Sequence, residues 1–110
     1  MITKQFSSAA TNNAQVVATR GTDLYSVTAY NAGVAVAYVK LYNKVTTPAP
    51  ATDVPFMVFA VPAGGHTWVQ LAEPVRLSAG MGVATVTGAA DTDNTAVAAG
   101  QLKVAIVHGG

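Results

Sequence analysis

Cysteine is absent from this 110-residue chain. Disulfides, thiolate zinc sites and thiol catalysis are therefore excluded, and a small secreted scaffold stapled by cross-links is excluded with them. Charge is scarce. Six basic and five acidic residues make up 10% of the chain, against about 25% in an ordinary globular domain. The basic residues Lys4, Arg20, Lys40, Lys44, Arg76 and Lys103 are dispersed and the net charge is +1, so no electrostatic footprint for nucleic acid exists. Long apolar runs are missing too. The longest uncharged stretch, Val54 to Ala72, is broken by Pro55, Pro62, Gly64, Gly65, His66 and Gln70, whereas a membrane-spanning helix needs about 20 mostly apolar residues. Met1 to Phe6 has no apolar h-region, so no signal peptide is expected. Nor does any long segment repeat apolar residues at helical spacing.

What remains is a surface of Ala, Thr, Ser, Gly and Val. A small domain so weakly charged tends to associate. The expectation is that the chain buries much of its surface against copies of itself or a larger assembly. Its length fits one domain.

Val and Thr, which suit strands, recur between turn signals along the whole chain. Residues 1–13 read as a polar N-terminal arm, and residues 14–110 as a single β-sandwich domain. Strands are expected at Gln15–Thr19, Leu24–Tyr30, Val34–Tyr42, Phe56–Val61, Thr67–Leu71, Val75–Leu77, Met81–Thr87 and Leu102–His108. Thr95–Ala99 reads as short strand or coil. In the clearest strand, Val39 and Leu41 face the core while Tyr38, Lys40 and Tyr42 point the other way. That register puts Lys40 outside. The Thr/Pro/Ala loop from Asn43 to Asp53 contains Pro48 and Pro50, which cannot donate to a ladder, and is expected to cross between sheets. About eight short antiparallel strands at a spacing of roughly 10 residues argue for an all-β fold. A two-sheet, jelly-roll-like sandwich accommodates them.

Candidate chemistry is thin. His66 and His108 are the only histidines and read as turn and strand-end residues, not metal ligands. Asp91-Thr92-Asp93-Asn94 starts like a calcium loop, but Ala96 and Leu102 stand where a glycine and an acidic residue are required. It reads as an Asx-type turn. No nucleophile, base and orienter stand out together, so no enzyme is expected. Neither cofactor nor metal is implied.

Two blocks carry a resemblance: Leu24-Tyr25-Ser26-Val27-Thr28-Ala29-Tyr30-Asn31, and Tyr38-Val39-Lys40-Leu41-Tyr42-Asn43-Lys44. With Asp53-Val54-Pro55, Val61-Pro62-Ala63-Gly64-Gly65 and Asp91 to Gln101, they are similar to a family of small phage and prophage virion structural proteins. The match covers roughly residues 14–107. Met57 and Phe59 depart from it, as does the His66–Gln70 strand. The resemblance implies a non-enzymatic particle component. A capsid decoration (cement) protein suits the size and composition: a homotrimer on the virion exterior, made in the host cytoplasm, with the major capsid protein as partner. The rivals are a tail, neck or fibre module, and a host-surface or carbohydrate-binding domain using Trp68 and the tyrosines. Surface features expected to meet a protein partner are Phe6 of the arm, Tyr38, Lys40 and Tyr42, the loop prolines Pro48 and Pro50, and Trp68.

Overall fold

The structure is a computed structural model describing residues 1–110. Its eight strands are β1 (Ile2–Ser7), β2 (Gln15–Ala18), β3 (Thr22–Asn31), β4 (Ala37–Tyr42), β5 (Met57–Val61), β6 (His66–Leu77), β7 (Met81–Val86) and β8 (Leu102–Gly109). The first sheet has the order β1-β8-β3-β6 and the second β2-β7-β4-β5, with every pair antiparallel. Strand β1 pairs with β8, β2 with β7, β3 with β6 and β4 with β5. One long hairpin gives that pattern, with β1–β4 running out and β5–β8 running back. Rolling the hairpin up brings β8 beside β3 and β7 beside β4. The result is the jelly roll expected from the sequence.

Side-chain alternation explains most of the strands. In β8, Leu102, Val104, Ile106 and His108 are buried and Lys103 is exposed. In β3 the buried set is Thr22, Leu24, Val27, Ala29 and Asn31. Its phase slips at Tyr25, where the pairing with both neighbours shifts. The inward residues of both sheets form one core, which includes Leu24, Val27, Val39, Leu41, Phe59, Val83 and Ile106. Strand β7 shows no alternation, because all six of its residues are buried. It lies in the middle of the second sheet, whose outer face is also covered.

Several expectations change. Residues 1–13 do not form an arm outside the sandwich: Ile2–Ser7 pairs with β8 along its whole length. The polar residues Thr3, Gln5 and Ser7 lie on its exposed side, which is how an edge strand reads as an arm. The Asn43–Asp53 loop does not cross between sheets, since it joins β4 to β5, neighbours in one sheet. Every other connection crosses between the sheets, including the one after β5 at Pro62–Gly65, where Gly64 takes φ +65°, a conformation easy only for glycine. Val34–Val36 belongs to a turn, and Thr95–Ala99 contributes only a bridge from Ala96 to Val86. Strand β6 runs through Glu73 and Pro74 as an edge strand, with a register shift opposite Tyr25 absorbing the proline.

Asn31, at the end of β3, locks the sheets together. Fully buried, it donates from Nδ2 to the carbonyls of Ala35 (2.9 Å) and Val61 (3.0 Å). Its Oδ1 accepts from the Gly33 amide (2.8 Å) and Gln101 Nε2 (3.3 Å). Asn31→Asp removes both donors and places a carboxylate in a dry site. It should cost about 3 kcal/mol or more, read as a lower midpoint in urea unfolding. His108, at the other end of the first sheet, is buried and sits 3.0 Å from Thr22 Oγ1. Burial, reinforced by the Met1 amine, lowers its pKa below the ordinary 6.5. A depressed pKa contributes stability that is present above 6.5 and lost as pH falls through the folded value. Thermal stability should therefore decline on acidification below neutrality, and His108→Gln should flatten that part of the profile.

Candidate interaction surfaces

The outer face of the second sheet is roofed by loops, and the polar residues of β4 hold the roof. Lys40 has no solvent exposure. Its Nζ donates to the carbonyl of Ala90 at 2.5 Å and lies 3.5 Å from that of Asp93. Burial pulls its pKa down, while Asp93 and then Asp91 push it back up. Beside it, Tyr42 is buried and its hydroxyl has no partner. Burial, aided by Asp53 and Asp91, raises that phenol's pKa. Next along the chain, Asn43 Oδ1 accepts from the Ala79 amide at 2.9 Å, tying β4 to the β6–β7 turn. Asp53 Oδ2 then accepts from the Ala49 amide (2.8 Å) and Lys44 Nζ (2.6 Å). The amide foremost, then Lys44, holds the Asp53 carboxyl below its usual range. This clasp folds the loop back so that Pro48 covers Gly82, where any Cβ would strike the proline ring. In the other roofing loop, Asp93 Oδ1 accepts from the Thr95 amide, the expected Asx turn. No group of three or more His, Asp or Glu side chains converges anywhere.

The seven residues expected at a partner surface therefore separate. Trp68 is 72% exposed. Lys40, Tyr42, Pro48 and Pro50 are buried within the chain, and Tyr38 is half-buried. Phe6 is half-buried against the core. The β4 register was read correctly, with Val39 and Leu41 in the core and Lys40 on the opposite face. The correction concerns what covers that face: it is protein, not solvent.

Sequence reasoning missed an exposed apolar line that runs from the segment before β5 onto the strand itself. Val54 is 73% exposed, Phe56 44% and Val58 41%, and Ala60 continues the row. The uncharged run from Val54 to Val61 was the available signal. Four strands form the sheet edges, and three carry features that discourage further pairing. In β1, Lys4 lies opposite core residue Ile106 and so points inward. Strand β2 is four residues long and irregular. Strand β6 has Pro74 and the register shift. Strand β5 pairs regularly with β4 and has neither charge nor proline. One bond partly guards it, from Thr67 Oγ1 to the Ala60 carbonyl.

The outer face of the first sheet is bare. Registry places Ser7, Lys103, Tyr30 and His66 in one row across it. The next row is Gln5, Ala105, Thr28 and Trp68, and the third is Thr3, Val107, Ser26 and Gln70. The rings of Tyr30 and His66 lie 4.7 Å apart at 42°. A hollow of about 250 Å³ is lined by Gln5, Thr28, Tyr30, His66, Lys103, Val104 and Ala105. Of two larger concavities, one of about 430 Å³ lies between the β1 and β2 edges, and one of about 410 Å³ lies among the small residues of the 32–35 and 98–101 turns. This cross-strand grouping is invisible in sequence, because its members lie on four separate strands.

The roof gives a paired prediction. Tyr42→Phe removes a buried hydroxyl without a partner and should be neutral or stabilising by up to about 1 kcal/mol. Lys40→Ala strips two carbonyls of their donor and opens a cavity, and should cost about 3 kcal/mol. Denaturant midpoints of the two variants against wild type check both.

No family model matches the sequence, and no curated protein matches it. Among solved structures, the chain is similar to the Tobacco streak virus coat protein, with a TM-score of 0.34 and 8% identity, covering 96% of this chain and 84% of that one. A likeness of that size establishes neither kinship nor function.

Proposed function

We propose that this chain is a structural component of a phage particle, a capsid decoration (cement) protein. It would sit on the virion exterior as a homotrimer, after synthesis in the host cytoplasm, and clamp neighbouring copies of the major capsid protein. The reading gives it no catalytic step. The observation that carries it is exposed Val58 on β5, the one edge strand with neither charge, proline nor irregular pairing, continued outside the strand by exposed Phe56 and Val54 of the preceding segment. Exposed apolar surface on a sheet edge favours association. With only 10% of residues charged, the rest of the surface opposes it little. The resemblance of the Leu24–Asn31 and Tyr38–Lys44 blocks to small phage and prophage virion proteins supports the same reading. A protein that binds the mature shell better than its precursor stabilises the mature form by mass action.

The test is copy number in purified virions by quantitative mass spectrometry. A ratio to the major capsid protein near one to one is expected. A ratio an order of magnitude lower assigns the chain to the tail or neck instead, and absence from particles overturns the virion reading. Val58→Lys should weaken shell binding about tenfold, equivalent to about 1.4 kcal/mol. Unchanged binding by a folded variant would remove β5 from the contact.

A further inference from the structure

We infer that the bare outer face of the first sheet is a binding platform for an acidic saccharide. Apart from Trp68, it rests on residues that the assembly reading does not use.

The geometry comes from side-chain length. Ala105 and Thr28 lie opposite each other in the middle row, and both are short. Gln5 and Trp68 stand at the two ends of that row, with Lys103 and Tyr30 opposite each other in the next. Gln5, Lys103, Tyr30 and His66 around the two short side chains leave the hollow of about 250 Å³, and exposed Trp68 lies outside it on the same face. That is smaller than the roughly 300–1,000 Å³ of sites for drug-sized ligands. A single six-membered ring fits it, with the remainder of a chain lying across the open sheet.

The chemistry selects the ring. Tyr30, His66 and Trp68 present aromatic surface for the C–H face of a sugar. The Gln5 amide, Thr28 hydroxyl and His66 ring nitrogens both donate and accept, as hydroxyl groups require. On the second sheet, Lys40, Asn43 and Lys44 are occupied in holding loops. On this face the polar groups are free for a ligand. Charge selects further. Among the twelve residues of the three rows, Lys103 is the only charged side chain. It belongs to neither of the chain's ion pairs, Lys44–Asp53 and Arg76–Asp23. One free cation with no carboxylate beside it favours a monoanionic ligand. It is too little charge for a phosphate backbone, whose binding depends on several cations. A carboxylated sugar, a uronic or sialic acid, supplies one anion and a ring. An open site of this size binds weakly alone, and a repeating array of copies would raise the apparent affinity by multivalency.

The experiment is an NMR titration of the ¹⁵N-labelled full chain with glucuronic acid, sialic acid, glucose and acetate. Saturable shifts at Gln5, Thr28, His66, Lys103 and the Trp68 indole are expected with one or both acidic sugars. Glucose should bind at least fivefold more weakly, and acetate should leave the aromatic signals unmoved. Lys103→Gln should erase the preference for the acidic sugar. Ala105→Leu, which fills the hollow, should abolish binding while strand dispersion is retained. Equal response to glucose, a response to acetate matching that to the sugars, or no saturable shift with either acid overturns the proposal. Since the titration uses free protein, none of these outcomes bears on virion copy number.

Discussion

A buried amine governs one whole side of this molecule. Lys40 reaches outward from the centre of the second sheet and bonds to loop carbonyls instead of water. An amine in a dry site is costly unless it is hydrogen-bonded, so the 88–94 loop and Lys40 require each other. The loop gains an anchor and the amine gains acceptors. The same covering explains why β7 is buried on both faces and why Tyr42 lies beneath protein. Asn43 and the Lys44–Asp53 clasp extend the anchoring to the neighbouring turn and loop.

The roof makes the two sheets unequal. The second sheet uses its polar side chains internally and leaves only its β5 margin apolar and open. The first sheet has no loop over it and keeps Tyr30, His66, Trp68 and Lys103 toward solvent. A symmetrical sandwich with two bare faces would have one surface type repeated. Here an apolar edge and an aromatic, polar platform belong to different sheets, so the occupation of one leaves the other accessible.

Much of this fold was legible in the chain. Punctuation by Gly, Pro, Asn and Asp located most of the strands, and alternation set the inward face of β4. What failed was environment. A lysine flanked by core residues reads as solvated, because sequence does not show that a loop fifty residues later folds over it. Thr3, Gln5 and Ser7 made an edge strand look like an arm, since half of any edge strand faces water. The block Tyr38 to Lys44 was legible as a motif but not as a scaffold: Lys40, Asn43 and Lys44 hold loops, and Lys40 and Tyr42 lie buried beneath them instead of facing a partner. The platform on the first sheet had no linear signal at all, because four strands from across the chain contribute to it.

The pairing of β1 with β8 also sets the order in which the molecule can be made. Ile2 lies opposite His108 and Ser7 opposite Lys103, so β1 is made about a hundred residues before its partner. Until β8 emerges, β1 has no ladder and the first sheet cannot close around β3. Pairings this distant in sequence slow folding through loop-closure entropy, whereas β4 and β5 are separated by a single loop. A nascent chain therefore carries the apolar stretch Met57–Val61 without a completed sandwich behind it until β8 has been made. Crowded synthesis of many copies would expose that stretch to its counterparts on other chains, so slow topology and a weakly guarded strand together make this jelly roll dependent on completing β8 before it meets itself.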